Sequence, residues 1–248
     1  MFRRASVEDP VGEYRALTIR DYMQIFAAML GGGLLGRWVS SMSKYVDPID
    51  LMAEGREKLK DREASSGKRF SRDNPRSIND IDSVVLHQMG FSRGSDPTKY
   101  LGVPAHYVVM PNGVVAQLHP WETYLYTSNA LNSRSIGVEI AGNFPNDDGK
   151  WWSPEKFGTD QPTPEQLNAI KGLVRYIDRG LRGQGQRLIG VYAHRQSSAA
   201  KRNDPGPDVW RAVSPVFSEL GLDDVSGFAT GGGAPIPESW KVGQGAVS

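Results

Sequence analysis

Apolar positions along this chain follow two different rhythms. Residues 1–80 have helical or linker-like patterning, whereas 81–215 mix short apolar runs with a long stretch of helical spacing. In the first part, Thr18 with Asp21 marks a helix start and predicts a helix over 19–30. Gly31-Gly32-Gly33 interrupts it, because adjacent glycines carry a large backbone entropy cost, and a second helical stretch is expected over 34–45. Asp47 before Pro48 reads as an N-cap with proline in the first turn, predicting a helix over 48–64 that closes at Ser65-Ser66-Gly67. Residues 65–80 are polar and basic and predict a linker or an extended wrap.

The second part predicts strands over Ile81–Leu86, Tyr107–Met110 and Val114–Leu118, the last two joined by the turn residues Pro111-Asn112-Gly113 into a hairpin. Ile136–Ile140 is almost continuously apolar, the pattern of a strand buried on both faces. Thr163-Pro164-Glu165-Gln166 opens a helix, with Thr163 as N-cap, proline at the first helical position and Gln166 as capping-box partner. Leu167, Ile170, Leu173, Val174 and Ile177 continue it at helical spacing. Leu188–Tyr192 is a further strand, and a last helix is expected over 208–220. This order predicts an α/β fold: a central mixed β-sheet flanked by helices, with a helical N-terminal extension. The expected organisation is an extension and linker at 1–80, a domain at 81–220, and a flexible or surface-wrapping Gly/Ala/Pro/Ser-rich tail at 221–248.

Composition narrows the chemistry. A net charge of +1 and the absence of a basic stripe with interleaved aromatics argue against nucleic acid as a partner. With no cysteine, disulfides, thiolate ligands and a cysteine nucleophile are excluded. There is no Gly-x-Ser-x-Gly elbow for serine hydrolase chemistry. The apolar stretch from Ile25 to Leu35 is too short to span a bilayer and lacks a clean cleavage site, so no membrane span and no signal peptide are expected.

The chain has four histidines, His87, His106, His119 and His194. A lone histidine is most often structural. His87 and His194 differ, because each closes an apolar strand, where a side chain can enter a cleft at the sheet's end. Asp204 precedes Pro205-Gly206-Pro207, a rigid turn, and Glu139 lies on the apolar strand between the two histidines. Two imidazoles, a carboxylate ligand and a free carboxylate are the components of a hydrolytic zinc centre.

Five segments occur in order: His87-Gln88-Met89-Gly90; Ala105 to Val109 with Asn112-Gly113; Ser135 to Asn143; Thr163 to Gln166; and Ala193-His194 through Asp204 to Pro207. Together they resemble the type 2 N-acetylmuramoyl-L-alanine amidase family, which shares its fold with peptidoglycan recognition proteins and T7-type lysozyme. The resemblance covers roughly 81–215. It implies Zn2+ held by His87, His194 and Asp204, Glu139 as general base, and hydrolysis of the amide joining N-acetylmuramic acid to L-alanine of the stem peptide. The family's usual lysine two positions before the aspartate is replaced by Arg202, with Lys201 beside it. Either cation could stabilise the oxyanion, Arg202 in place or Lys201 through a shifted loop. His106, Arg134 and Asn143 are the candidate substrate contacts, and Trp151 and Trp152 either line the groove or pack as a surface pair. The tryptophan–histidine pair that many relatives carry before the Ser-Ile-Gly strand is absent; the chain reads Tyr124-Leu125-Tyr126-Thr127-Ser128.

The expected partner is peptidoglycan, with residues 1–80 as a candidate surface for a protein partner. Action at the bacterial cell wall or periplasm is expected, after release or delivery by phage or secretion machinery, as for a phage endolysin. The rival readings are a non-catalytic peptidoglycan-binding module and a structural component of a phage or injection particle.

Overall fold

A computed structural model describes residues 46–241 of the chain. The helices expected over 19–30 and 34–45 lie outside the described residues. A six-stranded sheet organises the rest: β1 (Ile49–Asp50), β2 (Ser83–Gln88), β3 (Tyr107–Val109), β4 (Val115–Gln117), β5 (Ser135–Ile140) and β6 (Gly190–Ala193), in the order β1-β4-β3-β5-β2-β6. Only β3 and β4 pair antiparallel, as the predicted hairpin; every other pair is parallel. The helices are α1 (Met52–Ser66), α2 (Pro154–Phe157), α3 (Pro164–Gly183), α4 (Pro207–Val213) and α5 (Pro215–Glu219). The sheet is therefore mixed and flanked by helices. No helix among the described residues is long and apolar enough to cross a membrane.

Strand alternation divides the sheet into two unlike faces. Val84, Leu86, Tyr107, Val109, Ile136, Val138 and Ile140 pack with Ile170, Leu173, Val174 and Ile177 of α3 in the main core. The alternate positions Val85, His87, Val108, Gly137 and Glu139 point to the other face. There loops and α1, instead of a long apolar helix, cover the sheet. The capping box that starts α3 is complete: Thr163 Oγ1 accepts from Gln166 N at 3.0 Å, and Gln166 Oε1 from Thr163 N at 3.2 Å.

Two helices differ from their expected forms. The helix expected from residue 48 starts at Met52, because Ile49 and Asp50 pair with Ala116 and Gln117 at the sheet edge. The backbone groups of β4 capture the segment that local capping would have made helical. The helix expected over 208–220 is divided into α4 and α5 at Pro215, which has no N–H to continue it. The polar stretch 65–80 is an extended wrap. Glu63 Oε1 accepts from Phe70 N and Ser71 N, and Arg76 leaves the wrap to enter the interior. Residues 221–241 also lie against the domain. Ile236 and Trp240 are buried with Ala193 and Trp210.

Gly137 governs how closely the loop after Tyr124 approaches the sheet. A Cβ on Gly137 would lie 2.9 Å from Thr127 Oγ1, so the strand can seat this loop only without a side chain there. We expect Gly137→Ala to lower unfolding free energy by about 1–3 kcal/mol in urea denaturation. Thr127→Ala in the same chain should recover part of that loss; a Gly137→Ala protein as stable as wild type would refute the seating argument.

His119, buried between α1 and the sheet edge, is pushed down to about pKa 4 by burial, with the nearby Val103 carbonyl opposing the shift. The folded chain thus keeps His119 neutral to about pH 4, whereas the unfolded chain protonates it near pH 6.5. Between those values the unfolded state binds the extra proton, so stability falls as pH falls. Replacement by Gln should make the loss of stability from pH 6.5 to pH 4 shallower in thermal melts; an unchanged slope would contradict this assignment.

Candidate metal and catalytic site

The ladder itself assembles the site. β2 runs parallel to β5 with His87 opposite Glu139, and parallel to β6 with Leu86 opposite Ala193, so one further step brings His87 beside His194. The two imidazole centroids are 4.4 Å apart. The turn after His194 returns Asp204 to the same place: Arg195 N donates to Asp204 O at 3.1 Å, and Asp204 Oδ2 is 3.1 Å from His194 Nδ1. His87, His194 and Asp204, all buried, each offer one donor atom within 4.8 Å of the others, a group that could bind a metal ion. Among the described residues it is the one such group found.

Neighbouring polar groups orient these donors. Gln88 N donates to Asp204 Oδ1 at 2.8 Å, leaving Oδ2 toward His194. The Gln88 side chain donates to Asn203 O and accepts from Phe144 N, tying the Asp204 turn to the segment after β5. His87 Nε2 is 3.1 Å from Ser128 Oγ, which in turn contacts Thr127 Oγ1 at 3.0 Å. With Nε2 engaged, Nδ1 is the nitrogen left to His87 as a ligand atom. Burial holds the His87 imidazole well below its ordinary pKa, and the charges of His194 and Lys201 add to the effect, so it is neutral.

Glu139 stands beside this group with its Oε2 shielded from solvent and without a hydrogen-bond partner. Burial and then the charge of Asp204 push its carboxyl up to about 8, against the opposing charge of Lys201. Lys201 Nζ is 3.9 Å from Asp204 Oδ2. Both cations are exposed and line the cleft, but Arg202 directs Nη2 toward Gly232 O at 3.5 Å. Lys201 is therefore the cation that the turn brings next to the donor group.

Of the three residues expected as substrate contacts, His106 and Arg134 are engaged away from the cleft beside the donor group, whereas Asn143 lines it. His106 is buried: its Nδ1 accepts from Gly137 N at 3.0 Å, so its Nε2 carries the proton and donates to Thr123 O at 3.0 Å. Arg134 pairs with Asp82 where β2 and β5 begin, five residues and roughly 16 Å of strand from His87 and Glu139. Asn143 spends its amide on the carbonyls of Trp152 and Gly158, at 2.8 and 2.7 Å, bracing the loop after β5.

Three supporting residues escaped sequence reasoning. Ser128 and Gln88 act through partners that are distant in sequence. Arg76 is buried: its Nη1 donates to Asn132 O and Ser135 O and its Nη2 to Trp121 O, pinning the loop that carries Ser128. Burial lowers its pKa to about 10, still leaving it charged at neutral pH. In sequence it lies in a polar, basic stretch, and nothing local distinguishes it from its neighbours. An open cleft of about 380 Å³ borders the donor group, lined by residues that include Gln88, Met89, Trp152, Lys201 and Asp204. Hollows of about 590 and 530 Å³ elsewhere border none of the donors.

A structure of the N-acetylmuramoyl-L-alanine amidase LysC from Clostridium intestinale is similar at 17% identity, covering 63% of this chain and 95% of that one, with a TM-score of 0.43. Drosophila peptidoglycan recognition protein SA is similar at 14% identity, over 64% of this chain and 87% of that one, with a TM-score of 0.42. Drosophila PGRP-LB is similar at 14% identity, over 66% and 95%, with a TM-score of 0.44. No curated protein sequence matches the chain significantly. The model of the N-acetylmuramoyl-L-alanine amidase family matches residues 77–207, more than half of the chain and the whole stretch from Arg76's neighbour Ser77 to the turn after Asp204. The chain belongs to the type 2 N-acetylmuramoyl-L-alanine amidase family.

Proposed function

We propose that this protein is a zinc-dependent peptidoglycan hydrolase that cleaves the amide between the lactyl group of N-acetylmuramic acid and L-alanine of the stem peptide. The observation that carries the reading is the convergence of His87, His194 and Asp204 beside Glu139, whose buried Oε2 has no hydrogen-bond partner. The donors suit zinc: two imidazoles and one carboxylate, buried and braced by Ser128 and the Gln88 amide, make a three-ligand set of the kind that leaves a fourth position open. Zinc held there supplies Lewis acidity toward the scissile carbonyl and toward the attacking water.

The remaining work falls to the chain's own side chains. Glu139 takes the proton from the attacking water and returns it to the leaving amine nitrogen. Burial raises its pKa, and a cation at the donor group would favour the ionised form that the first step needs. Lys201 stabilises the negative charge that develops on the carbonyl oxygen. Arg202 holds the C-terminal segment through Gly232. His106 and Arg134 position the scaffold, and Asn143 braces the loop after β5 while lining the cleft. The substrate places the action at the bacterial cell wall.

Purified chain incubated with peptidoglycan should contain one zinc per molecule and release stem peptides bearing a new L-alanine amino terminus. Glu139→Gln should retain the zinc and lose about 10²–10⁴-fold in kcat. Zinc without peptide release would make the protein a binding module, and a folded chain that takes up no zinc would overturn the ligand assignment. The two cations can be separated in the same assay. Lys201→Met should lower kcat by about 10²-fold, with Arg202→Met costing clearly less; the reverse order would return the oxyanion role to Arg202.

A further inference from the structure

Trp152 is the most exposed large apolar side chain among the described residues, with 63% of its surface open, and it sits on the rim of the cleft that holds Asp204 and Lys201. An indole left in water forgoes a large burial gain, so its placement needs a cause. The loop holds it there firmly. Asn143, itself buried, donates to the Trp152 and Gly158 carbonyls, Asn143 N donates to Asp160 Oδ2 at 2.9 Å, and Trp151 Nε1 donates to Asp160 O at 2.8 Å. Ser153, immediately after it, takes the left-handed conformation at φ 42°, which costs a non-glycine residue backbone energy. Phe157 stacks against the indole at 4.5 Å and 12°, fixing its plane. At Gly90 a Cβ would stand 3.3 Å from the six-membered ring, so the backbone there meets the indole closely because no side chain intervenes. The result is a rigid, flat aromatic platform facing a cleft whose other walls include Met89 and Ala200.

We propose that Trp152 is a sugar-stacking subsite, which binds a pyranose ring of the glycan strand against its indole and so sets the enzyme's preference for glycan-linked over free stem peptides. The inference rests on the amidase reading, since the cleft borders the proposed centre at Asp204 and Lys201. The bond cut there joins a sugar's lactyl group to L-alanine, so one side of the cleft must accept a sugar ring. A pyranose offers a flat patch of C–H bonds that matches an aromatic face in area and polarity. The L-alanine methyl is too small to need one. Trp152 acts here as a binding residue and takes no part in proton transfer.

The test uses the full chain carrying Glu139→Gln, titrated by calorimetry with a peptide-free oligosaccharide of alternating N-acetylglucosamine and N-acetylmuramic acid, and separately with free stem peptide. Adding Trp152→Ala should weaken oligosaccharide binding about tenfold and leave stem-peptide binding alone, while Trp152→Phe keeps most of the affinity. In the active chain, Trp152→Ala should raise KM for peptidoglycan fragments about tenfold with little change in kcat. Equal oligosaccharide affinity with and without the indole overturns the proposal, as does a loss confined to the stem peptide. Both variants are checked by thermal melting, and Trp152→Phe reports on the platform even if the alanine variant unfolds. Should the wild type bind the oligosaccharide through Trp152 yet release no stem peptide, the amidase reading fails and the subsite stands. Should the wild type cleave peptidoglycan with a KM that Trp152→Ala leaves unchanged, the subsite alone fails.

Discussion

The register between β2 and β5 governs everything else in this molecule. His87 lies opposite Glu139 because the two strands run parallel and start together at Ser83 and Ser135. A slip of β2 by one residue would turn His87 into the apolar core under α3, away from Glu139, and bring Leu86 out to the loop-covered face. The alternation of large aliphatic residues at Val84, Leu86, Ile136, Val138 and Ile140 holds this register, since those side chains fill the space against α3. Core packing on one face thus determines the chemistry on the other.

Burial then makes the loop-covered face electrostatically demanding. Removing His87 from water holds it neutral, and the same desolvation raises Glu139 toward neutral pH. Asp204 brings a carboxylate into the same volume, close to a single ammonium, that of Lys201. A divalent cation at the proposed centre would relieve the crowding of acceptors and favour the ionised form of Glu139. The surrounding amides and hydroxyls of Gln88 and Ser128 leave one free donor atom on each of Asp204 and His87, so the site is oriented by groups that need no metal to be in place.

Segments beyond the family-matched residues 77–207 reinforce this arrangement. The wrap before residue 77 inserts Arg76 beneath the loop that carries Ser128. From the other end, Thr230 N donates to Gln196 O and Ala234 N to Arg195 O, both at 2.8 Å, while the Arg195 guanidinium lies over Trp240. These contacts clamp the turn between His194 and Asp204 from outside. The energetic value of the two segments lies in restricting the loops that the sheet alone leaves uncovered.

Local signals carried much of this fold. The capping box at Thr163, the helical spacing through Ile177, the Pro-Asn-Gly turn and the apolar strands ending at His87 and His194 were all legible, because each depends on residues within one or two turns of one another. The halves of the donor group were also visible as types and spacing. What local reading could not reach was the choice of partners. Ile49 and Asp50 left the helix their caps favoured because a sheet edge stood unpaired, Arg134 went to Asp82 at the far end of the strands, and the turn set Lys201 beside Asp204 while Arg202 reached toward Gly232. Arg76, Gln88 and Ser128 matter only through atoms tens of residues away. The sequence by itself determined most of the described strands and helices and the types of the candidate donors, since helix caps and hydrophobic periods are short-range. The tertiary structure decided which polar groups meet, because that depends on strand register and on loops closing over one buried face.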